Sequence, residues 1–344
     1  GGTNPEQYEI ELNQTGAEAN SANSWNDTAP TSTQFTLGAS GDVNNGSRSY
    51  VAYLFAHNDS GDGGFGPDGD QDIIKCGSLT TDSNGLATVN LGFEPQWLMI
   101  KRATTTGDWQ IVDNLRGFVN NSSGGDAVLK PNSSDAESSF THSTPTATGF
   151  LIDGNVSNHT IIYMAIRRGP LAAPEDATKV FALGTRGAST PGFTSNFPVD
   201  MFIRRYTTGS GYPDIGSRLT GAKAMQTSEN FAEGNDSSST FDHMNGYYNS
   251  SSADSNHFSY MWKRAPSYFD CVCYSGTGSA RTVPHGLTVP AEMIWVKSRS
   301  DAYDWVVYNK DLGRMEDISI GEEYEDHAKE ERDPHRSQGG LHKR

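Results

Sequence analysis

A chain of 344 residues with a net charge of −16 lacks the basic face that binding to a phosphate backbone or an anionic membrane requires, so both are excluded as partners. No stretch approaches the ~20 apolar residues of a membrane span. Apolar residues make up only 34%, yet 15 Phe, 14 Tyr and 6 Trp stand beside 37 Gly, which points to folded domains of many short strands joined by polar turns.

Residues 8–12 (YEIEL) alternate and predict a strand. Residues 13–32 form an Asn-, Ala-, Ser- and Thr-rich loop carrying Trp25. Residues 33–37 predict a short strand and 49–56 (SYVAYLFA) a buried one. Residues 59–72 are acidic and Gly-rich. Short apolar strands are expected at 73–77, 180–184 and 268–274. The chain opens GGTNPEQ without Met or a signal peptide, as a fragment or tagged chain would.

Internal repetition dominates the rest. Residues 89–117 (VNLGFEPQWLMIKRATTTGDWQIVDNLRG) recur at 283–313 (VPHGLTVPAEMIWVKSRSDAYDWVVYNKDLG) and more faintly at 196–221. Each copy reads as strand, turn, strand. The buried strand recurs at 160–167 (TIIYMAIR) and 258–264 (FSYMWKR). Aligning Tyr53, Tyr163 and Tyr260 gives offsets of 110 and 97 residues, and aligning Lys101, Arg204 and Lys297 gives 103 and 93. The fold expected is therefore all-β: tandem antiparallel β-sandwich-like repeats of about 90–105 residues with a charged C-terminal tail. The expected boundaries are 1–58 (C-terminal half of a unit), 72–169 (complete unit), 179–265 (complete but diverged unit), 267–313 (N-terminal half) and 314–344 (charged tail, disordered or a short helix). The half-units are expected to be completed by each other or by another chain.

The runs YVAYLFAHN, GGFGPDGDQDIIKCGS, LGFEPQWLMIKR and GDWQIVDNLRG, with SYMWKRAPSYFDCVCYSGTG and VPHGL further on, resemble a repeated, functionally uncharacterised domain of tail and tail-fibre-type structural proteins of marine bacteriophages. The resemblance spans about residues 8–313. The 179–265 copy departs from it, with Tyr212-Pro213 where Trp109 and Trp305 would align. The resemblance implies a place in a virion, outside the cell. Other virion proteins or copies of the chain are the expected partners, with a host-surface glycan as a further one.

Candidate site residues are few. Trp109 and Trp305 read first as core tryptophans, with a sugar-stacking platform as the alternative. Lys101 and Lys297 read as strand-end cations that snorkel into solvent. Asp68, Asp70 and Asp72 alternate as calcium ligands do, but an EF-hand begun at Asp68 meets Ile73 and Leu79 at its sixth and twelfth positions. A flexible acidic linker is expected there, and no cofactor, with Ca²⁺ the alternative. Cys271 and Cys273 read as small hydrophobes rather than a metal or disulfide pair. His285 is expected to hydrogen-bond a turn, and Gly92 and Gly286 to supply positive φ. Asp108 with Asp113, and Asp301 with Asp304, are the nearest things to a catalytic carboxylate pair. HExxH, GxSxG, P-loop and dinucleotide fingerprints are absent from the sequence. The function expected is a non-enzymatic structural and adhesive one. The alternatives are a secreted or surface lectin-like adhesin and, behind it, a polysaccharide depolymerase.

Overall fold

The computed structural model describes residues 4–58, 64–120, 126–140, 143–153, 157–208, 210–250 and 256–312. The expected tail at 314–344 lies outside the described residues. The molecule is built from antiparallel sheets with little helix.

Residues 4–58 contribute one short ladder, β1 (Tyr8–Glu9) with β2 (Ala19–Asn20), and one helical turn, α1 (Ala22–Trp25). The segments at 33–37 and 49–56, both expected as strands, join no ladder. The second is also not buried: Val51, Tyr53 and Leu54 are 73%, 79% and 74% exposed. Its apolar pattern suits the middle of a sheet, but no strand runs beside it.

The next region contains β3 (Ile74–Thr80), β4 (Ala87–Asn90), β5 (Pro95–Arg102), β6 (Gln110–Asp113), β7 (Asp126–Val128), β8 (Ser138–Phe140), β9 (Ser143–Thr146), β10 (Gly149–Ile152) and β11 (Thr160–Arg167). One sheet runs β3-β11-β5-β6 and another β4-β10-β9. Period-2 alternation turns Leu98 and Ile100 of β5 inward. They meet Phe150 and Ile152 of β10, Val112 of β6 and Ala165 of β11 in one core.

The third region contains β12 (Phe181–Thr185), β13 (Phe193–Thr194), β14 (Met201–Tyr206), β15 (Asp214–Ser217), β16 (Lys223–Gln226), β17 (Gly234–Asn235), β18 (Ser239–Thr240), β19 (Gly246–Asn249) and β20 (His257–Trp262). The order β12-β20-β14-β15 repeats β3-β11-β5-β6, and β13-β19-β18 repeats β4-β10-β9. β16 and β17 are additions at the edge of the large sheet. The core here is aromatic: Tyr247 stacks on Phe202 and Phe193 with ring centroids 4.4 and 4.9 Å apart.

Strand register corrects the tyrosine alignment. Tyr163 lies opposite Gly77 and Ile100, whereas Gly184 and Arg204 lie opposite Ser259. Ser259 therefore takes the place of Tyr163, and Tyr260 falls on the other face, 43% exposed. A slip of one residue exchanges the two faces of a strand. A Cβ on Gly77 would stand 2.6 Å from the Tyr163 hydroxyl, whereas at Gly184, opposite the smaller Ser259, the space is open.

The last described strands are β21 (Met293–Val296) and β22 (Val306–Asn309), a lone hairpin. Residues 268–274, expected as a strand, instead follow a turn closed by the Ala265–Phe269 bridge and form no ladder. The three hairpins share one register. Ile100 faces Gln110, Arg204 faces Asp214 and Val296 faces Val306, the same spacing each time. Each ends on a short polar side chain that accepts a backbone N–H of the following turn. Asp113 accepts from Leu115 and Arg116, Ser217 from Thr220, and Asn309 from Asp311. That is the capping chemistry of Asp, Asn and Ser.

Candidate functional site

The hairpin turns grip the segment that precedes them in the chain. At the β5–β6 turn the Trp109 indole N–H donates to the Glu11 carbonyl at 2.9 Å. Glu18 N–H donates to Ala103 O, and Gly107 N–H to Thr15 O. Lys101 is 1% exposed, so it does not snorkel as expected. Residues 15–16 fold over it, and its ammonium donates to Gly16 O at 2.8 Å and Arg102 O at 2.9 Å. Those carbonyls replace water around a charge that would otherwise be costly to bury. Burial, with Arg102 beside it, pulls its pKa down.

The β21–β22 turn repeats the arrangement on the third region. Trp305 is buried against Met201 and Ile215, and its N–H donates to Gln226 O at 3.0 Å. The ring has no open face for a sugar. Arg299 clamps both Glu233 oxygens at 3.0 and 2.9 Å, and its remaining nitrogen donates to Asn120 O at 2.8 Å. Glu233 N–H returns a bond to Arg299 O. Lys297 is half-buried and donates to Ser298 O and Asp301 O. At the equivalent place in the third region stands Arg205, which is exposed, so the register also corrects the alignment of Lys101 and Lys297 with Arg204; Arg204 itself is buried and pairs with Asp214 at 2.8 Å.

A buried ion network lies where the regions meet. Arg264, 1% exposed, binds Glu94 bidentately with two contacts of 2.8 Å. Its Nη1 also donates to Cys271 O, and its backbone N–H donates to Asp200 Oδ2 at 2.7 Å. Arg168 approaches Glu94 and Asp270, and Arg218 approaches Asp200 and donates to Asn114 O. Burial opposes the Arg264 charge, but Glu94, Asp200 and Asp270 more than offset it, so its pKa is raised. Glu94 belongs to the β3–β11 region, Asp200 to the β12–β20 region and Asp270 to the C-terminal segment. One guanidinium thus ties three stretches together. None of these residues was singled out from sequence. The signal was present: Arg168-Gly169-Pro170 and Arg264-Ala265-Pro266 close the central strand in both complete copies.

Other candidates disperse. Asp68 and Asp70 are exposed, whereas Asp72 is buried and pairs with Lys75 at 3.3 Å. No group of three metal-ligating side chains occurs among the described residues, and Asp59 and Asp62 lie outside them. Asp108 bonds Lys130 and Asn132, and Asp113 bonds Arg116, so the two face cations rather than each other. Asp301 accepts from Ser300. His285 Nδ1 accepts the Leu287 N–H, the turn role expected of it. Gly92 has φ +75°, but Gly286 does not share it; Thr288 takes the positive φ instead, at +62°. The three cysteines are free, and burial pushes the Cys271 thiol up to about 12.

The exposed apolar surface is concentrated at two places, residues 50–55 and β21. In β21, Met293, Ile294, Trp295 and Val296 are all more than a third exposed. No helix among the described residues is long and apolar enough to cross a membrane.

No curated protein and no solved structure matches the chain. Residues 171–249, which hold the hairpin without a tryptophan, stand outside the family match. That match covers residues 2–170 and 250–332, well over half the chain, and the protein therefore belongs to the family described as a domain of unknown function, DUF7483.

Proposed function

We propose that the chain is a non-enzymatic structural and adhesive component of a virion, in a phage tail or tail fibre, presenting linked β-domains to the host surface. The observation that carries it is the joint: Trp109 and Trp305, at equivalent places in two hairpins, each donate to a backbone carbonyl far upstream in the preceding segment. The Arg299–Glu233 pair reinforces the Trp305 joint, and the buried Arg264–Glu94 pair joins the two complete regions. The residues that recur are thus used to hold neighbouring units, which suits an extended multivalent array.

Antibodies against the chain should label the tails of particles purified from lysed host cultures, and digested particles should yield its peptides. Absence from washed particles would sink the virion reading. Glycan-array binding that is lost on Trp109→Ala would favour the lectin-like alternative. Release of reducing ends from host polysaccharide would favour a depolymerase.

A further inference from the structure

Two elements of this chain are each half of a pattern that it completes twice elsewhere. In both complete regions the central strand, β11 or β20, lies between two others in the large sheet. Tyr163 faces Ile100 of β5, and Ala165 faces Leu98. β21 copies β5, with Ile294 at the place of Leu98 and Val296 at that of Ile100. Yet among the described residues β21 pairs with β22 alone, and none pairs with the edge that β5 gives to β11. Residues 50–56 (YVAYLFA) have the make-up of the central strand and no ladder of their own. Their far end is fixed: Asn58 N–H donates to Ile74 O, and His57 Nδ1 accepts the Cys76 N–H.

We infer that residues 50–56 of one copy pair with β21 of a second copy, Tyr53 opposite Val296 and Phe55 opposite Ile294, and so join the two copies. Adding a strand to an exposed edge satisfies backbone donors and acceptors on both sides. No charged side chain occurs in 50–56 or in Met293–Val296, so no unpaired charge is buried. Tyr50, Tyr53 and Phe55 each cover roughly 150–250 Å² when buried. They are now 47%, 79% and 61% exposed, and Val51, Leu54 and the apolar residues of β21 add to the area that each insertion removes from water. Both elements are exposed to solvent, and each supplies the strand that the other lacks, which points to a second copy as the occupant. Reciprocal exchange closes a dimer, and one-way exchange propagates a filament. The pairing rests on register alone and not on a virion location.

Light scattering coupled to size exclusion tests it on the full chain. The wild type should form dimers or longer species that dissociate on dilution. Phe55→Asp and Ile294→Asp alter exposed positions and should each give a folded monomer, checked by an unchanged unfolding transition. Mixing the two variants leaves one intact donor and one intact acceptor, and should restore a heterodimer. A Tyr53→Cys, Val296→Cys double variant should oxidise to covalent dimers or ladders on a non-reducing gel. A wild type that stays monomeric at every concentration overturns the inference. So does assembly indifferent to both aspartates, or a disulfide closing within one chain.

Discussion

The hairpins β5–β6 and β21–β22 are near copies with opposite surroundings. They share register, turn length and the tryptophan before the second strand. Leu98 is fully buried, whereas its counterpart Ile294 is 44% exposed. The difference comes from what lies alongside: β11 covers one edge of β5, and β10 supplies Phe150 across the core. Hairpin geometry is thus written locally, by the turn and the cap, while burial is conferred by strands that arrive some fifty residues later. The two hairpins nevertheless dock alike at their turns, through the tryptophan N–H.

The comparison can be broken in several places. The largest effect is expected at the junction. Glu94→Ala strands a buried guanidinium and should cost on the order of 3–5 kcal/mol; a denaturant titration should resolve it as an early transition, and an unshifted midpoint would show that the network is idle. Trp305→Ala should lose about 3 kcal/mol by cavity formation, with faster amide exchange in β21 and β22 but not in β5. Equal protection in all three would mean that the hairpin is held by something else. Leu98→Ala should cost about 2–4 kcal/mol, while Ile294→Ala should stay within about 0.5 kcal/mol when the chain is monomeric. Similar losses at both would erase the contrast.

The smallest expected effect is a response to pH confined to the complete region. Asp126 is 2% exposed and accepts the Val119 N–H, and burial pushes its carboxyl up to about 7. Its folded pKa thus exceeds the unfolded value of 3.8, so the folded state binds the proton more tightly. Stability should be highest where both states are protonated and should fall as pH rises towards 7. Asp126→Asn, which keeps an acceptor for Val119, should remove roughly 2 kcal/mol of that decline between about pH 5 and 7. Identical pH profiles for variant and wild type would show that the carboxylate is already charged.

Much of the fold was legible. Alternating apolar runs placed β3, β5, β11, β12, β14 and β20, and the repeat predicted two related units, whose strand orders match. The exact register was not. Tyr163 and Tyr260 look equivalent in sequence, but the face each takes is set by pairing with a strand about eighty residues away. The joints were half visible. Trp109 and Trp305 stood out as a recurrent pair, yet whether an indole points to a core, a ligand or a neighbouring backbone depends on distant chain. Lys101 was misjudged for the same reason: nothing near it in sequence announces that residues 15–16 will cover it. Residues 49–56 were read as buried because burial is encoded in their pattern; the partner strand that would realise it is not beside them.

The joints also set how this chain is free to change. Trp109, Lys101 and Trp305 all recognise carbonyl oxygens of the main chain, at Glu11, Gly16 and Gln226. Every residue carries that group. The outer surface of a neighbouring unit can therefore be rewritten, residue by residue, without loosening its connection, provided the path of its backbone and the paired carboxylates Glu94 and Glu233 are kept. A surface under pressure to vary can sit on a skeleton that does not.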